Sequence, residues 1–194
     1  RPTIGIISTF PIDGQGSPQL VYPKYMPRWA IMRQIRDIFN VRFISRQTLD
    51  IPAETDVLML VNPKRFTDET AYAVDQFLMR GGTMLVLIDP FSEVEVALGD
   101  APYSVSPDMK LFFDRWGIAF NPNVFVGDAE LSRTATRTED GKTVQTKFPP
   151  WITADARHMN PLDPVTGALS AVNLSYAGHF TVKERIDGLT VEPL

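Results

Sequence analysis

Apolar residues recur in two rhythms along this 194-residue chain, and the alternation between them predicts its elements. Thr3-Ile-Gly-Ile-Ile-Ser8 is a short apolar run bounded by Pro2 and Pro11, the pattern of a strand buried on both faces. From Arg28 to Phe39, Ile31, Met32, Ile35, Ile38 and Phe39 fall at helical spacing, with Arg33, Gln34 and Asp37 opposite. Val41–Ile44 and Asp56–Val61 read as the second and third strands. A second helix is announced by Thr67 as its N-cap, with Asp68 and Glu69 in the first turn. Ala71, Val74, Phe77 and Leu78 form its buried stripe, and Gly81 ends it. Thr83–Ile88 is a fourth strand that delivers Asp89 and Pro90 at its carboxyl end.

Ser106-Pro107-Asp108 combines a cap, a proline at N1 and an acid, so a third helix is expected there. Its apolar face would be Met109, Phe112, Phe113 and Trp116, closed by Gly117, with a fifth strand at Asn123–Val126. Strands alternating with helices predict an α/β fold with an open parallel sheet, helices on both faces and flavodoxin-like order 2-1-3-4-5. Beyond Asp128 the chain turns polar and threonine-rich, and Glu139-Asp140-Gly141-Lys142 marks a hairpin turn. Phe148-Pro-Pro-Trp151 is expected to be a rigid aromatic turn. A last hairpin would pair Thr181–Lys183 with Leu189–Val191 across Asp187-Gly188. Residues 1–128 thus read as the α/β core, and 129–194 as a small C-terminal β excursion returning to the same domain.

Composition narrows the setting. With 44% hydrophobic residues the chain can bury a sizeable core, and a net charge of −4 argues against nucleic acid as the main partner. The basic cluster Arg28, Arg33, Arg36, Arg42 and Arg46 reads first as the solvated face of a helix. The absence of cysteine removes thiolate catalysis, disulfides and cysteine zinc sites together. No run of roughly 18 apolar residues occurs, so no membrane-spanning helix is expected within the chain. The opening at Arg1 and the ending at Leu194 both look like cuts, and a piece of a longer protein is expected.

Candidate chemistry is thin. Ser8 and Ser92 lack the flanking glycines of a nucleophile elbow. His158 stands three residues from Asp155 but is soon followed by Pro161 and Pro164, so His158 and His179 read as surface residues and no metal is expected. Asp13-Gly-Gln-Gly16 lacks the lysine and following helix of a phosphate loop, and no cofactor is expected. In open α/β sheets the ligand crevice lies beyond the carboxyl ends of the strands. Ser8, Thr9, Asn62 and Asp89 are therefore the candidate binding residues, with Asp13 on the long 9–27 loop. Asp89 could instead initiate a turn, or act as a carboxylate in glycoside cleavage with Asp13 as partner. Phe10, Tyr22, Tyr25, Trp29 and Phe91 would pin the loop or grip a sugar or peptide.

An ordered set of short motifs adds a resemblance. It comprises Ile4-Gly-Ile-Ile-Ser8, Asp56-Val-Leu-Met-Leu-Val61, Gly81-Gly-Thr-Met-Leu-Val-Leu-Ile-Asp89-Pro90 and Phe113-Asp-Arg-Trp-Gly-Ile118. Val124-Phe-Val-Gly-Asp128, Pro149-Pro-Trp151, Asp163-Pro-Val165 and Leu174-Ser-Tyr-Ala-Gly178 follow in the same order. Together they resemble the extracytoplasmic domain of the GldG-type auxiliary proteins of ABC transporters, first associated with gliding motility. The resemblance implies a fold similar to flavodoxin and the class I glutamine amidotransferases. It also implies a periplasmic or extracellular domain of an inner-membrane protein, tethered by segments outside this stretch. Its partners would be the permease and ATPase of the same system. The amidotransferase activity itself needs a cysteine that this chain lacks. The resulting expectation is a non-enzymatic binding or interaction domain, with a small-molecule or saccharide ligand allowed. The rival is a hydrolase of a saccharide or cell-envelope substrate that uses Asp89.

Overall fold

The structure, a computed structural model, describes residues 1–15, 26–64, 66–99, 107–183 and 188–192. The chain divides into two compact units, Arg1–Ile88 with Val105–Leu111, and Asp89–Ser104 with Phe112–Leu194.

The first unit holds a four-stranded parallel sheet. Its strands are β1 (Thr3–Ser8), β2 (Asn40–Phe43), β3 (Val57–Val61) and β4 (Thr83–Leu87), in the order β2-β1-β3-β4. Two helices serve as crossovers, α1 (Ala30–Ile38) between β1 and β2, and α2 (Asp68–Met79) between β3 and β4. The two central strands are apolar on both faces, as expected where a parallel sheet is covered on both sides. Ile4, Ile6, Met59 and Val61 pack with Ile12 and Met32 in one buried cluster, against which Phe10, Trp29, Ile35 and Phe39 lean. α2 begins as its sequence predicts, because Thr67 Oγ1 accepts the Thr70 N–H at 3.2 Å and two acids occupy the first turn. It ends where Gly81, at φ 84°, takes the left-handed conformation that lets its N–H reach the Leu78 carbonyl. β2 and β3 are joined without a helix, and the joining segment is anchored by Ile51, which is fully buried.

The second unit is built differently. α3 (Glu93–Leu98) follows β4 directly, capped by Ser92 and stopped by Gly99 at φ 86°. The sequence reading missed this helix, although Ser92 and Glu95 carry the spacing of a capping box. α4 (Pro107–Arg115), of which only Phe112 onward is assigned to this unit, starts at the proline that the pattern marks, while its expected cap, Ser106, lies outside the described residues. β5 (Ile118–Phe120) pairs antiparallel with β9 (Phe180–Val182), and Phe113, Phe120 and Phe180 stack at 5.3–6.1 Å to cement that pair.

This corrects two expectations. Among the described residues no fifth strand extends the parallel sheet: Asn123–Val126 is irregular, because Asn121 folds an Asx turn onto the Asn123 N–H at 3.0 Å. Nor does Thr181 pair with Leu189–Val191, since its strand is taken by β5. Asp187 of that expected turn lies outside the described residues.

A three-stranded antiparallel sheet, in the order β6-β7-β8, completes the second unit with β6 (Ser132–Glu139), β7 (Lys142–Asp155) and β8 (Ala171–Ser175). The predicted hairpin turn is present, with Asp140 and Gly141 at φ 49° and 74° as a two-residue type I′ connection requires. The expected aromatic turn at Phe148–Trp151 is instead a bulge inside β7. Arg133 pairs with Phe148 whereas Ser132 pairs with Ile152. Pro149 and Pro150 have no N–H to give to a ladder, so the extra residues accumulate there.

Candidate functional site

The strand ends of the first unit are closed on themselves. β1 ends in Ser8, whose hydroxyl donates to the Phe10 carbonyl at 2.9 Å and accepts the Phe10 N–H at 3.0 Å. Thr9 and Asn62, which follow β1 and β3, form a reciprocal clamp. The Thr9 hydroxyl donates to the Asn62 carbonyl at 2.9 Å and accepts from Asn62 Nδ2 at 3.0 Å. The Asn62 backbone N–H reaches Leu87 at the end of β4 at 2.9 Å, so the clamp spans three adjacent strands. Asn62 is buried and held at φ 48°, a left-handed conformation that asparagine tolerates better than most residues but that still costs energy. Three of the residues marked in the sequence are thus brought together here, Thr9 and Asn62 in direct contact and Ser8 beside them.

Asp13 does a different job. Its Oδ2 accepts from Arg36 of α1 at 2.7 Å, and Arg28 Nε stands 2.7 Å from Oδ1. The Arg28 approach is off the hydrogen-bonding direction, so it contributes charge attraction without a formal bond. Asp13 therefore ties the loop after β1 to the helix that follows, helped by the Phe10–Trp29 stack at 5.9 Å and the Trp29 N–H bond to Ile12. The basic cluster is likewise partly neutralised within the fold, Arg28 and Arg36 by Asp13 and Arg42 by Glu54. The loop itself narrows to a two-residue bridge between Gln15 and Met26, and Tyr22 and Tyr25 beyond it lie outside the described residues.

Asp89 opens the second unit. Its carboxyl is raised above the ordinary aspartate value by desolvation, although the residue as a whole is exposed at its surface. Pro90 behind it is buried. The second candidate nucleophile, Ser92, spends its oxygen capping the Glu95 N–H at 3.3 Å.

Other acids of this unit are held low by hydrogen bonds. Asp155 accepts four bonds from Arg157, three from its side chain and one from its backbone N–H, and has a contact at 3.0 Å with His158 Nδ1. The spacing of Asp155 and His158 does bring them together, but the guanidinium covers both carboxylate oxygens, Nε reaching Oδ1 and Nη2 reaching Oδ2. Asp128 is lowered by the N–H groups of Leu131 and Glu130, and Asp163 by the Thr166 N–H. Among the described residues, no group of three histidines or acids could hold a metal ion.

Four features escaped the sequence reading. Lys64, just beyond Asn62, is buried and engaged; Glu95 is buried and engaged in α3. Tyr176 adopts φ 50°, an outlier for an aromatic residue, and stacks on Phe91 and Phe125 at 4.4 and 5.2 Å. The Trp151 indole N–H is buried and has no hydrogen-bond partner among the described residues. Trp151 and Tyr176 fall within short motifs of the chain, and Glu95 stands at capping-box spacing from Ser92, whereas Lys64 has no local signal.

A model of the family described as an ABC-type uncharacterized transport system matches residues 1–194. No curated protein matches the chain, and no solved structure does. Among the described residues, no helix is long and apolar enough to cross a membrane.

Proposed function

The chain belongs to the ABC-type uncharacterized transport system family, and from that premise we propose that it is a non-enzymatic interaction domain of a transporter auxiliary protein. It acts outside the cytoplasm, in the manner of the GldG-type proteins, beside the permease and ATPase of its system. The observation that carries the non-enzymatic reading is the strand-end clamp. An open parallel sheet offers ligands the carboxyl ends of its strands. There Ser8, Thr9 and Asn62 spend their polar groups on one another and on backbone, so neither hydroxyl is poised against a base. What remains is a rigid surface suited to holding a partner or a neutral ligand.

The test uses the full-length parent protein with an epitope inserted between Asp140 and Gly141. Protease added to spheroplasts should remove the epitope, and the protein should co-purify with a permease and an ATPase. Protection of the epitope until the cells are lysed would sink the extracytoplasmic placement. Purification free of both transporter components would sink the auxiliary role.

One observation favours a second reading. Burial raises the Asp89 carboxyl above the ordinary aspartate value, the direction in which a general acid of glycoside cleavage is shifted. Hydrolysis of a cell-envelope saccharide that disappears in Asp89→Asn would establish that reading over the first.

A further inference from the structure

The antiparallel sheet of the second unit is only half filled. β7 is 14 residues long, and β6 runs along its first part. On the other side β8 pairs only with Trp151–Asp155. At Tyr176 the chain leaves the sheet: the residue turns to φ 50° and its N–H bonds the Pro150 carbonyl at 3.0 Å. Beside Lys142–Phe148, in line with β8, no strand is paired among the described residues. That edge is roughly 20 Å long at the usual rise per residue. It contains no proline, and in antiparallel geometry alternate residues turn their N–H and C=O groups away from β6.

Unpaired edges of this length attract strands, and proteins commonly guard them with lysine. The edge residues here carry Lys142 and Lys147 and no acid. Lys147 Nζ donates to the Ala129 and Glu130 carbonyls at 3.0 and 3.2 Å and its charge also acts on Asp128; Lys142 is exposed, stands across the ladder from Glu139 and makes no ion pair among the described residues. Two copies joined edge to edge would bring four lysines into one seven-residue ladder, and like charges placed across a ladder are unfavourable. A strand bearing acids meets the opposite situation on both faces, since Lys142 and Lys147 project to opposite sides of β7.

We infer that the Lys142–Phe148 edge of β7 is a docking site for an extended acidic segment of another polypeptide, which adds to the sheet as a strand continuing the line of β8. Main-chain bonds supply the affinity, and the two lysines select the partner. The inference does not depend on the role given to the strand ends of the parallel sheet.

The experiment uses the chain itself and a fluorescein-labelled nonapeptide of alternating glutamate and valine, with a lysine-for-glutamate peptide as its counterpart. Anisotropy should show binding of the acidic peptide that weakens as salt is added, and no binding of the basic one. Amide hydrogen exchange should slow across residues 142–148. Lys142→Glu should weaken binding roughly three- to thirtyfold, since an attractive cross-strand pair becomes a repulsive one. Thr143→Glu, which adds an acid to the same edge without touching the turn, should weaken it in the same sense. The inference is overturned if the acidic peptide fails to bind at millimolar concentration, if protection falls outside 142–148, or if both variants bind like the parent chain. It is equally overturned if the edge is already protected in a dimer of the free chain.

Discussion

β3 and the hairpin of β6 and β7 are both regular, fully laddered structure, yet they are held together by different forces. Four of the five residues of β3 are buried. Across the hairpin from Ser132 to Phe148 no residue is buried, and only a few, such as Ala135, Val144 and Phe148, are even half covered. Removing apolar surface from water is worth about 25 cal/mol per Å², whereas the net gain from an exchanged backbone hydrogen bond is near 1 kcal/mol. The parallel sheet is therefore stable through what it covers. The ribbon relies on its turn and its cross-strand pairs, and a two-stranded ribbon in water is marginal on those terms. A regular ladder marks where the chain is ordered, and burial marks where it is stable.

The comparison breaks most directly at matched truncations. Leu58→Ala, at a fully buried position of β3, should cost about 2–5 kcal/mol in urea unfolding, and Val144→Ala in the ribbon about 1 kcal/mol or less. Equal losses would mean that the ribbon is buried in solution. A smaller effect is expected at the strand-end clamp. Asn62→Ala removes the bond to Thr9 and leaves a residue poorly suited to φ 48°, for a loss of about 1–3 kcal/mol. Asn62→Gly keeps the conformation accessible and should fall between Ala and the parent. If glycine is as harmful as alanine, backbone conformation contributes nothing and the side-chain bond alone matters.

The smallest effect is on pH dependence, and it sharpens the contrast between carboxylates of the second unit. Asp155 and Asp163 have folded values below the ordinary one, so their stabilisation is present above about pH 4 and is lost as pH falls through their lowered values. Asp89 has a raised value, so its contribution is present at low pH and is lost as pH rises through that raised value. Acid unfolding of Asp163→Asn should show a flatter slope below pH 4, and Asp89→Asn should gain stability toward neutral pH. Opposite signs would mean that the carboxyl environments are other than described.

Much of the first unit was legible in the chain. Thr67, Asp68 and Glu69 before a periodic apolar stripe, and Gly81 after it, specify α2 locally, and runs such as Leu58–Val61 specify buried parallel strands. The second unit was legible only in pieces. The Asp140-Gly141 turn could be seen because a type I′ turn is a two-residue requirement. Val124-Phe-Val126 has good strand composition and forms no strand, whereas Ile118–Phe120 does, because Phe113 and Phe180 give it something to stack on. The candidate site divided in the same way. Position at strand ends could be anticipated for Ser8, Thr9 and Asn62, but not that their side chains would satisfy one another, nor that Asp13 would be claimed by two arginines.

Taken alone, the sequence determined the α/β class, the order of the four parallel strands, the ends of the second helix and the hairpin turn. The helix ends and the turn depend on residues within a few positions of one another, and the class and strand order follow from the alternation of strands and helices along the chain. Only the tertiary structure decided which strand β5 would accept, where the Pro149-Pro150 bulge would fall, and which edge of β7 has no neighbour among the described residues. Those outcomes are settled by competition among distant segments for the same surface. The winner is set by packing and hydrogen-bond geometry, which no local pattern records.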